Sequence, residues 1–167
     1  MDTGQLREVL SREFKSSFGG VYPVDLLPDQ LRPGEKAVVV NTDPQDRPGE
    51  HWVCLYVSNP VVEYFDSYGF PPLQKEIQDF IQRHAQQWTY NPYRYQDWNT
   101  DVCGQYCVYY LHQRDKKRKK SDEWLFPFDQ SMALQRDRYV ANWFKNTYHK
   151  LPTGHGQKCQ CFYQNVL

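Results

Sequence analysis

Apolar residues at the start of the chain recur every three or four positions, which predicts an amphipathic helix over about residues 3–17. Thr3 can cap the beginning of this helix, and Gly19-Gly20 can end it. The stretch 21–34 is rich in proline and predicts an extended connection. The apolar positions of the helix are Leu6, Val9, Leu10 and Phe14.

The middle of the chain has the composition of β-strands. Residues 37–41 form a β-branched run that predicts a buried strand, and a polar, turn-rich loop follows over 42–50. The stretches 51–57 and 61–66 are rich in strand formers and are separated by Ser58-Asn59-Pro60. We therefore expect these two stretches to pair as a hairpin.

A second helix is predicted to begin at Pro71-Pro72, because proline is favoured in the first turn of a helix. Residues 89–95 then have a strand-like composition, although Pro92 would confine such a strand to a sheet edge or a bulge. The apolar stripe expected for the helix consists of Leu73, Ile77, Phe80, Ile81, His84 and Trp88.

Residues 103–112 are apolar nearly all round, a pattern typical of a helix buried in the middle of a domain. A last helix is predicted from about 129 to 149, and the tail 150–167 shows no periodicity. Helices at both ends with strands between them predict a single α+β domain over residues 1–167. The side of the last helix expected to be apolar carries Met132, Tyr139, Val140, Trp143 and Phe144.

Composition and charge narrow the range of functions. The chain has 167 residues, of which 16% are aromatic, and 20 basic residues balance 20 acidic ones. This is enough apolar material for one core, and a neutral chain is not typical of proteins that coat nucleic acid. Because no membrane-length apolar run and no secretory signal is present, we expect an intracellular protein without membrane contact. An odd count of five cysteines then favours free thiols.

Cys103 is a candidate nucleophile, because a polar turn changes into an apolar helix at this residue. The positive end of the helix dipole favours the thiolate, which is the form that attacks carbonyl carbons. Gly104 would let a substrate backbone come close, and the Cys103 N–H could point at a developing oxyanion. The alternative is that Cys103 is a small buried apolar residue, as most cysteines are.

His51 and Asp66 are candidates for the base and its orienting group. His51 opens a strand and can lie at the rim of the sheet, where a neutral imidazole can accept a thiol proton. In the expected hairpin, the start of the first strand lies beside the end of the second, so Asp66 could hold one imidazole N–H. The alternatives are a surface histidine at a strand end and an aspartate that caps the following turn.

Gln96 lies seven positions before Cys103 and could supply a side-chain N–H to an oxyanion hole. A glutamine in a loop indicates nothing alone. This interpretation depends on the other three residues lying nearby.

The order His-Trp, acidic residue, Gln and Cys-Gly resembles the adenovirus-protease-like and SUMO-protease-like cysteine peptidases, and the adenovirus (adenain-like) branch is the more similar. The resemblance extends over roughly residues 5–112. Its segments are VVVNTDPQDRPGEHWVCLYVSNP, VEYFDSYGFPP and QDWNTDVCGQYCVYYLH.

The resemblance implies a rearranged papain-like fold, in which a central buried helix packs on a mixed β-sheet. It implies Cys103 as the nucleophile and His51 as the base. It further implies Asp66 as the orienting acid and Gln96 as the oxyanion donor, with no cofactor and no metal.

Members of this family cut peptide or isopeptide bonds after glycine, often at Gly-Gly or Gly-X, through a narrow cleft that Trp52 and Trp98 could line here. The implied substrates are viral structural precursor proteins, and the implied location is the host nucleus and the virion. Two alternatives stay open: a deconjugating protease for ubiquitin-like modifiers, and a catalytically silent binding module.

The adenovirus enzymes are activated by DNA and by a viral peptide that is joined through a disulfide. Either activator has little support here. No cysteine lies between Cys54 and Cys103, in the region where the disulfide would form, and the chain is neutral overall.

Two other clusters have simpler interpretations. The basic run 116–120 could bind nucleic acid or direct nuclear import, but the acidic residues that flank it favour a solvated loop. His149, His155, Cys159 and Cys161 match no standard zinc spacing, so no metal site is predicted.

Overall fold

Five strands form one mixed sheet in the computed structural model of the chain, which describes residues 1–119, 125–126 and 132–148. The spatial order of the strands follows their order in the chain. The first pairing is parallel, the next two are antiparallel and the last is parallel. The strands are β1 (Phe18–Pro23), β2 (Ala37–Asn41), β3 (Trp52–Ser58), β4 (Val61–Phe65) and β5 (Gln87–Tyr90).

Helices cover both faces of this sheet. α2 packs on one face, whereas α1 and α3 pack on the other, with α4 against α3. Most residues of α3 are buried, which makes it the central helix. The predicted α+β architecture, a central buried helix packed on a mixed sheet, is confirmed. The helices are α1 (Thr3–Phe14), α2 (Lys75–His84), α3 (Cys103–Asp115) and α4 (Ala133–Thr147).

Alternation along β2 explains why the sheet is buried on both faces. Ala37 and Val39 belong to the core on the side of α1 and α3, whereas Val38 and Val40 pack with the apolar residues of α2. All five residues of the strand are buried, as the β-branched run predicts. The predicted hairpin is confirmed as well, because β3 and β4 pair antiparallel.

The first helix is confirmed, but both of its ends differ from the prediction. Asp2, not Thr3, is the N-cap: its carboxylate accepts a hydrogen bond from Gln5 N, and the Gln5 side chain accepts one from Asp2 N. This reciprocal capping box places Thr3 inside the first turn. The helix ends at Phe14 and a short 3₁₀ turn follows, so Gly19-Gly20 does not end it.

The sequence analysis missed β1, which takes up residues 21–23 at the start of the extended connection predicted over 21–34. Its glycines weaken the local strand signal, and its parallel pairing with β2 is a long-range contact that no local pattern reveals. Gly20 has a φ of +125°, and a Cβ there would lie 2.7 Å from the Tyr22 ring. Backbone conformation and packing therefore both require glycine at this position.

The second helix begins at Lys75, three residues after Pro71-Pro72, and ends at His84. The central positions of its predicted apolar stripe are buried. Two end positions are not: Leu73 precedes the helix and is 68% exposed, and Trp88 lies in β5 and is 46% exposed. The prediction was wrong there because it continued the helical period past both helix ends.

β5 forms an edge of the sheet, as the strand predicted over 89–95 requires. It spans Gln87–Tyr90 and ends before Pro92, so the prediction placed it too far along the chain. All four of its residues are exposed.

α4 lies within the helix predicted over 129–149; residues 129–131 and 149, like the tail, lie outside the described residues. Val140 and Phe144 are buried as predicted, whereas Met132 and Tyr139 are exposed. Met132 is the N-cap of α4 and lies before the helix, whereas the Tyr139 ring still packs edge-on against Tyr109 of α3. None of the helices in the described part of the chain combines the length and apolar character that crossing a membrane requires.

A buried ion pair joins the sheet to α3. The Glu63 carboxylate on β4 accepts hydrogen bonds from the Arg114 guanidinium and the Tyr110 hydroxyl, both on α3. Glu63 is 5% exposed. Burial and the nearby Glu63 carboxylate raise the pKa of Tyr110 well above its usual value, so its hydroxyl keeps the proton that it donates.

Replacing Glu63 should destabilise the fold strongly. We expect Glu63→Ala to lower the free energy of unfolding by about 3–5 kcal/mol, because Arg114 would retain a buried charge without its carboxylate. The measurement is urea unfolding followed by circular dichroism. The matched control is Glu8→Ala, which removes the i,i+4 partner of the exposed Arg12 and should cost less than about 0.5 kcal/mol. Equal losses in the two variants would contradict the role of the buried pair.

Candidate active site

The β3–β4 hairpin brings His51 and Asp66 together. Cys54 pairs with Phe65, and His51 precedes β3 directly while Asp66 follows β4 directly. His51 Nε2 lies 2.8 Å from Asp66 Oδ1, and both residues are buried. The structure thus gives the hydrogen-bonded neighbours that the hairpin predicts, whereas their catalytic roles stay a prediction.

The hydrogen bond to Asp66 decides which nitrogen of His51 could do chemistry. An ionised carboxylate only accepts hydrogen bonds, so Nε2 must carry the proton that lies between the two groups. In the neutral ring, Nδ1 is then the basic nitrogen. A nucleophile would have to lie on the Nδ1 side to transfer its proton to the ring.

Asp66 holds its own turn as well as the imidazole. Its Oδ1 accepts a second hydrogen bond from Tyr68 N at 2.7 Å, and its carbonyl accepts one from Gly69 N at 2.9 Å. The sequence analysis treated an orienting acid and a turn-capping aspartate as alternatives. The geometry satisfies both, because one carboxylate oxygen accepts both bonds.

Asn91 fixes the backbone of Asp66. Its Oδ1 accepts from Asp66 N at 2.9 Å, and its Nδ2 donates to Asp66 O at 2.6 Å. Asn91 follows β5 directly, and β5 pairs with β4. The position of the acid therefore depends on the edge strand of the sheet.

Tyr68 packs its ring against the imidazole. The ring centroids of Tyr68 and His51 lie 4.8 Å apart with the planes nearly parallel, and Tyr68 stacks equally closely with Trp98. The Arg94 guanidinium lies over the Trp98 ring at 4.7 Å. His51 is thus held by a hydrogen bond at one nitrogen and by an aromatic stack on its face.

Gln96 is fully buried and tied to the same turn. The Ser67 hydroxyl donates to Gln96 Oε1 at 2.7 Å. Gln96 Nε2 donates to Thr100 O at 2.6 Å and to the Tyr68 hydroxyl at 3.3 Å. The contact to Tyr68 is the longer and weaker one, so it is the bond that a substrate oxygen could replace. The oxyanion role of Gln96 stays a prediction.

Cys103 is the first residue of α3, where the change from polar to apolar sequence predicts it. Val102 at the N-cap forms no side-chain cap, so the dipole at this helix end is not met by a capping side chain. A Cβ added to Gly104 would lie 3.4 Å from Trp52 Cδ1. The beginning of α3 therefore lies against Trp52, the first residue of β3, which follows His51 in the chain. The role of Cys103 as nucleophile stays a prediction.

Gly104 has a different role from the one expected. The space in front of it is filled by the chain itself, since a Cβ would lie 3.0 Å from Met1 Cβ as well as close to Trp52. Met1 O accepts a hydrogen bond from Trp52 Nε1 at 3.1 Å. Trp52 and Cys103 have no exposed surface. Glycine here permits tight packing within the chain, and the Cys103 thiol has to become exposed before a substrate can reach it.

The other two described cysteines lie in the core. Cys107 follows Cys103 by one helical turn and is buried as predicted, with Cys54 Sγ 3.9 Å from Cys107 O. Burial raises the pKa of the Cys107 thiol well above its usual value. A thiol that stays protonated is a poor nucleophile.

A cavity of about 170 Å³ adjoins the His51–Asp66 pair. Glu50 contributes to its wall, and burial raises the pKa of the Glu50 carboxyl. Two exposed apolar side chains, Phe70 and Leu73, also line it. The cavity therefore offers a partly apolar space next to the imidazole.

Two further histidines have structural partners. His84 Nε2 accepts from Leu31 N at 3.0 Å, and its ring stacks on Phe80, as expected for a core histidine. The His112 ring contacts the Glu13 carboxylate between α3 and α1. Neither position suggests a catalytic role.

The two clusters that the sequence analysis discounted lie partly or wholly outside the described residues. In the described ranges, no group of three or more His, Cys, Asp or Glu side chains could hold a metal ion. His149, His155, Cys159 and Cys161 lie outside those ranges. Residues 116–118 of the basic run are exposed, and Lys120 is not among the described residues.

Sequence reasoning missed three residues that shape the site. The turn-capping alternative for Asp66 covers the bond from Tyr68 N to its carboxylate but not the contacts that the Tyr68 side chain makes. The stacking of Tyr68 on His51 and the contacts of the other two residues depend on long-range pairing. The three residues are Ser67, Tyr68 and Asn91.

Comparisons with known proteins find similarity among solved structures alone. No protein-family model matches the chain, and no curated protein matches it. Among solved structures, ChlaDub1 from Chlamydia trachomatis is similar with 18% sequence identity and a TM-score of 0.46. The similarity covers 76% of this chain and 66% of that one, so less than two thirds of the ChlaDub1 chain is spanned. A similarity at this level does not identify an activity.

The thiols should differ in reactivity. Under native conditions we expect iodoacetamide to modify Cys103 at least about 10-fold faster than Cys54 or Cys107, because Cys103 lies at the positive end of a helix while the Cys107 thiol stays neutral. Mass spectrometry of proteolytic peptides measures the three rates. Unfolding in urea is the control and should make the rates similar. Faster native labelling of Cys107 than of Cys103 would contradict the assignment.

Proposed function

We propose that the protein is a cysteine-type protease that cuts after glycine, with Cys103 as nucleophile, His51 as base, Asp66 as orienting acid and Gln96 as oxyanion donor. The observation that carries the proposal is the buried 2.8 Å hydrogen bond between His51 and Asp66 at the open end of the hairpin. It leaves Nδ1 as the basic nitrogen of the ring. Cys103 at the beginning of the adjacent helix supports the same assignment.

Each step of the proposed reaction has a group to perform it. The Cys103 thiolate attacks the glycine carbonyl carbon, and the Sγ–C bond forms while Gln96 and backbone N–H groups bind the oxyanion. His51 gives its proton to the leaving amine as the C–N bond breaks. His51 then takes a proton from water as the water oxygen attacks the thioester, and the C–S bond breaks to release the carboxylic acid and restore the Cys103 thiolate beside the His51 imidazolium.

The position of Asp66 bears on this chemistry in two ways. Its carboxylate keeps the imidazole in the Nε2–H tautomer, and it stabilises the imidazolium that forms when the ring holds the thiol proton. Stacking on Tyr68 restrains rotation of the ring. The base is therefore preorganised before substrate binds.

The nucleophile is tested by a single substitution. Cys103→Ala should abolish turnover of Gly-Gly and Gly-X peptides while circular dichroism shows an intact fold, because it removes one small side chain. The matched control is Cys107→Ala, the same change one helical turn later, which should leave turnover measurable. Retained activity in Cys103→Ala would remove the nucleophile assignment. A wild-type protein that labels at Cys103 but cuts nothing would instead indicate the catalytically silent module.

A second candidate is a deconjugating protease for ubiquitin-like modifiers. Exposed large apolar side chains favour it, because such residues mark surfaces that bind other proteins. Two line the cavity beside His51, and the others lie on or just after the edge strand β5. These side chains are Phe70, Leu73, Trp88, Tyr90 and Tyr93. Viral structural precursors with Gly-Gly or Gly-X sites are the substrates that the sequence resemblance suggests for the first candidate.

One pair of substrates separates these candidates. We expect a deconjugating protease to cut a reporter from the C-terminal Gly-Gly of a folded ubiquitin-like modifier with a kcat/KM at least about 10-fold above that for the isolated tail peptide, since the folded surface adds binding energy. An endopeptidase should cut both with similar kcat/KM. Trp88→Ala is the matched probe of the exposed surface: it should lower only the modifier reaction. Equal rates for both substrates and no effect of Trp88→Ala would exclude the deconjugating candidate.

A further inference from the structure

α4 reaches the loop that carries Gln96 through a buried carboxylate. Asp137 is 4% exposed. Its Oδ2 accepts from Asp97 N at 3.0 Å and from the Thr100 hydroxyl at 2.7 Å. Its Oδ1 accepts from the Tyr106 hydroxyl on α3 at 2.7 Å. One side chain therefore ties together α4, α3 and the loop between β5 and α3.

Arg136, the preceding residue of α4, holds the beginning of the same loop. It is 1% exposed, and its Nε donates to Tyr95 O at 2.9 Å while its Nη2 donates to Arg94 O at 3.1 Å. The Tyr106 hydroxyl also contacts Tyr95 O, at 3.2 Å. The carbonyls just before Gln96 are thus bound by a buried cation.

These contacts converge on the side chain of Gln96. The Asp137 carboxylate accepts hydrogen bonds from the N–H of Asp97, which follows Gln96, and from the hydroxyl of Thr100. The carbonyl of Thr100 accepts the shortest hydrogen bond of the Gln96 amide, at 2.6 Å. The path from Asp137 through Thr100 to Gln96 Nε2 consists of two hydrogen bonds.

The protonation state of Tyr106 determines which group donates the hydrogen bond between Tyr106 and Asp137. Burial, together with the Asp137 carboxylate, raises the pKa of Tyr106 well above its usual value, so the hydroxyl remains a donor. Burial also raises the pKa of Asp137, against the hydrogen bonds that it accepts from Tyr106 and Thr100. Burying the Asp137 carboxylate costs free energy. The hydrogen bonds that its two oxygens accept fix the positions of the donor groups, which an apolar contact would not do.

We propose that Asp137 is a positioning residue for Gln96: through Thr100 and the Asp97 N–H it holds the amide in the orientation that binds the oxyanion. This inference rests on the proposed function. Asp137 does not touch the substrate. Asp137 lowers the barrier only when negative charge develops on the substrate carbonyl oxygen. The reactivity of the Cys103 thiol beside His51 should therefore not depend on Asp137.

The test compares two reactions of the same thiol. Hydrolysis of a Gly-Gly peptide needs the oxyanion hole, whereas alkylation by iodoacetamide forms no oxyanion. Asp137→Asn replaces the carboxylate by an amide. The Asp97 N–H and the Thr100 hydroxyl then face either an N–H₂ group, which cannot accept their hydrogen bonds, or a neutral oxygen, which is a weaker acceptor. We expect this variant to lower kcat by about 10-fold or more with little change in KM. Its rate of alkylation at Cys103 should stay within about 2-fold of the wild-type rate.

A double-mutant cycle separates positioning from general stability. Gln96→Ala should lower the rate of hydrolysis by about 10²–10³, as loss of an oxyanion donor does. Adding Asp137→Asn to Gln96→Ala should cause no further loss, because the group being positioned is already absent. Arg138→Ala, an exposed change on the next residue of α4, is the matched control and should leave both reactions unchanged.

A second pair of variants keeps the test decisive if Asp137→Asn does not fold. Thr100→Val removes the hydroxyl that donates to Asp137, and Thr100→Ser retains it. We expect the valine variant to lose hydrolysis but not alkylation, and the serine variant to retain both.

Three results would overturn the inference: unchanged hydrolysis in Asp137→Asn and Thr100→Val, hydrolysis and alkylation that fall together, or additive losses in the cycle. A wild-type protein that cuts neither a glycine peptide nor a reporter joined to a folded ubiquitin-like modifier would instead overturn the proposed function itself.

Discussion

The site depends on the hydrogen bonds that the Asp66 carboxylate accepts. The carboxylate accepts hydrogen bonds from His51 Nε2 and from Tyr68 N with the same oxygen. Its backbone is fixed in turn by both polar atoms of the Asn91 side chain. The orientation of the imidazole is therefore set by a group that is anchored to the sheet edge, which gives the base a defined tautomer before any substrate arrives.

The turn that follows Asp66 connects the base to the oxyanion loop. Ser67 binds the Gln96 side chain through its hydroxyl and the Gln96 backbone through its carbonyl, and Tyr68 contacts both the imidazole and the Gln96 amide. From the opposite side, Arg136 and Asp137 of α4 bind the same loop. Buried hydrogen bonds from two directions therefore hold this loop, in addition to the packing of Tyr95 in the core.

Local pattern predicted the parts of the fold that local physics determines. The β-branched run predicted β2, and the strand-forming residues of 51–57 and 61–66 predicted the hairpin. Antiparallel pairing then places the start of one hairpin strand beside the end of the other, which predicted that His51 and Asp66 are neighbours. β1 was missed because parallel pairing between distant segments stabilises a glycine-rich strand. Nothing in the local sequence distinguishes Asp137 from a charge on a helix surface, since only the tertiary structure buries it. The exposed positions of Leu73 and Trp88 show that apolar character alone does not extend a helix.

The most direct measurement is a crystal structure of the protein trapped with a peptide aldehyde that ends in glycine. The account predicts a covalent bond from Cys103 Sγ to the aldehyde carbon, His51 Nδ1 within hydrogen-bond reach of the adduct, and its oxygen bound by Gln96 Nε2. An adduct on another cysteine, or an imidazole that lies beyond reach of the Cys103 sulfur, would contradict it.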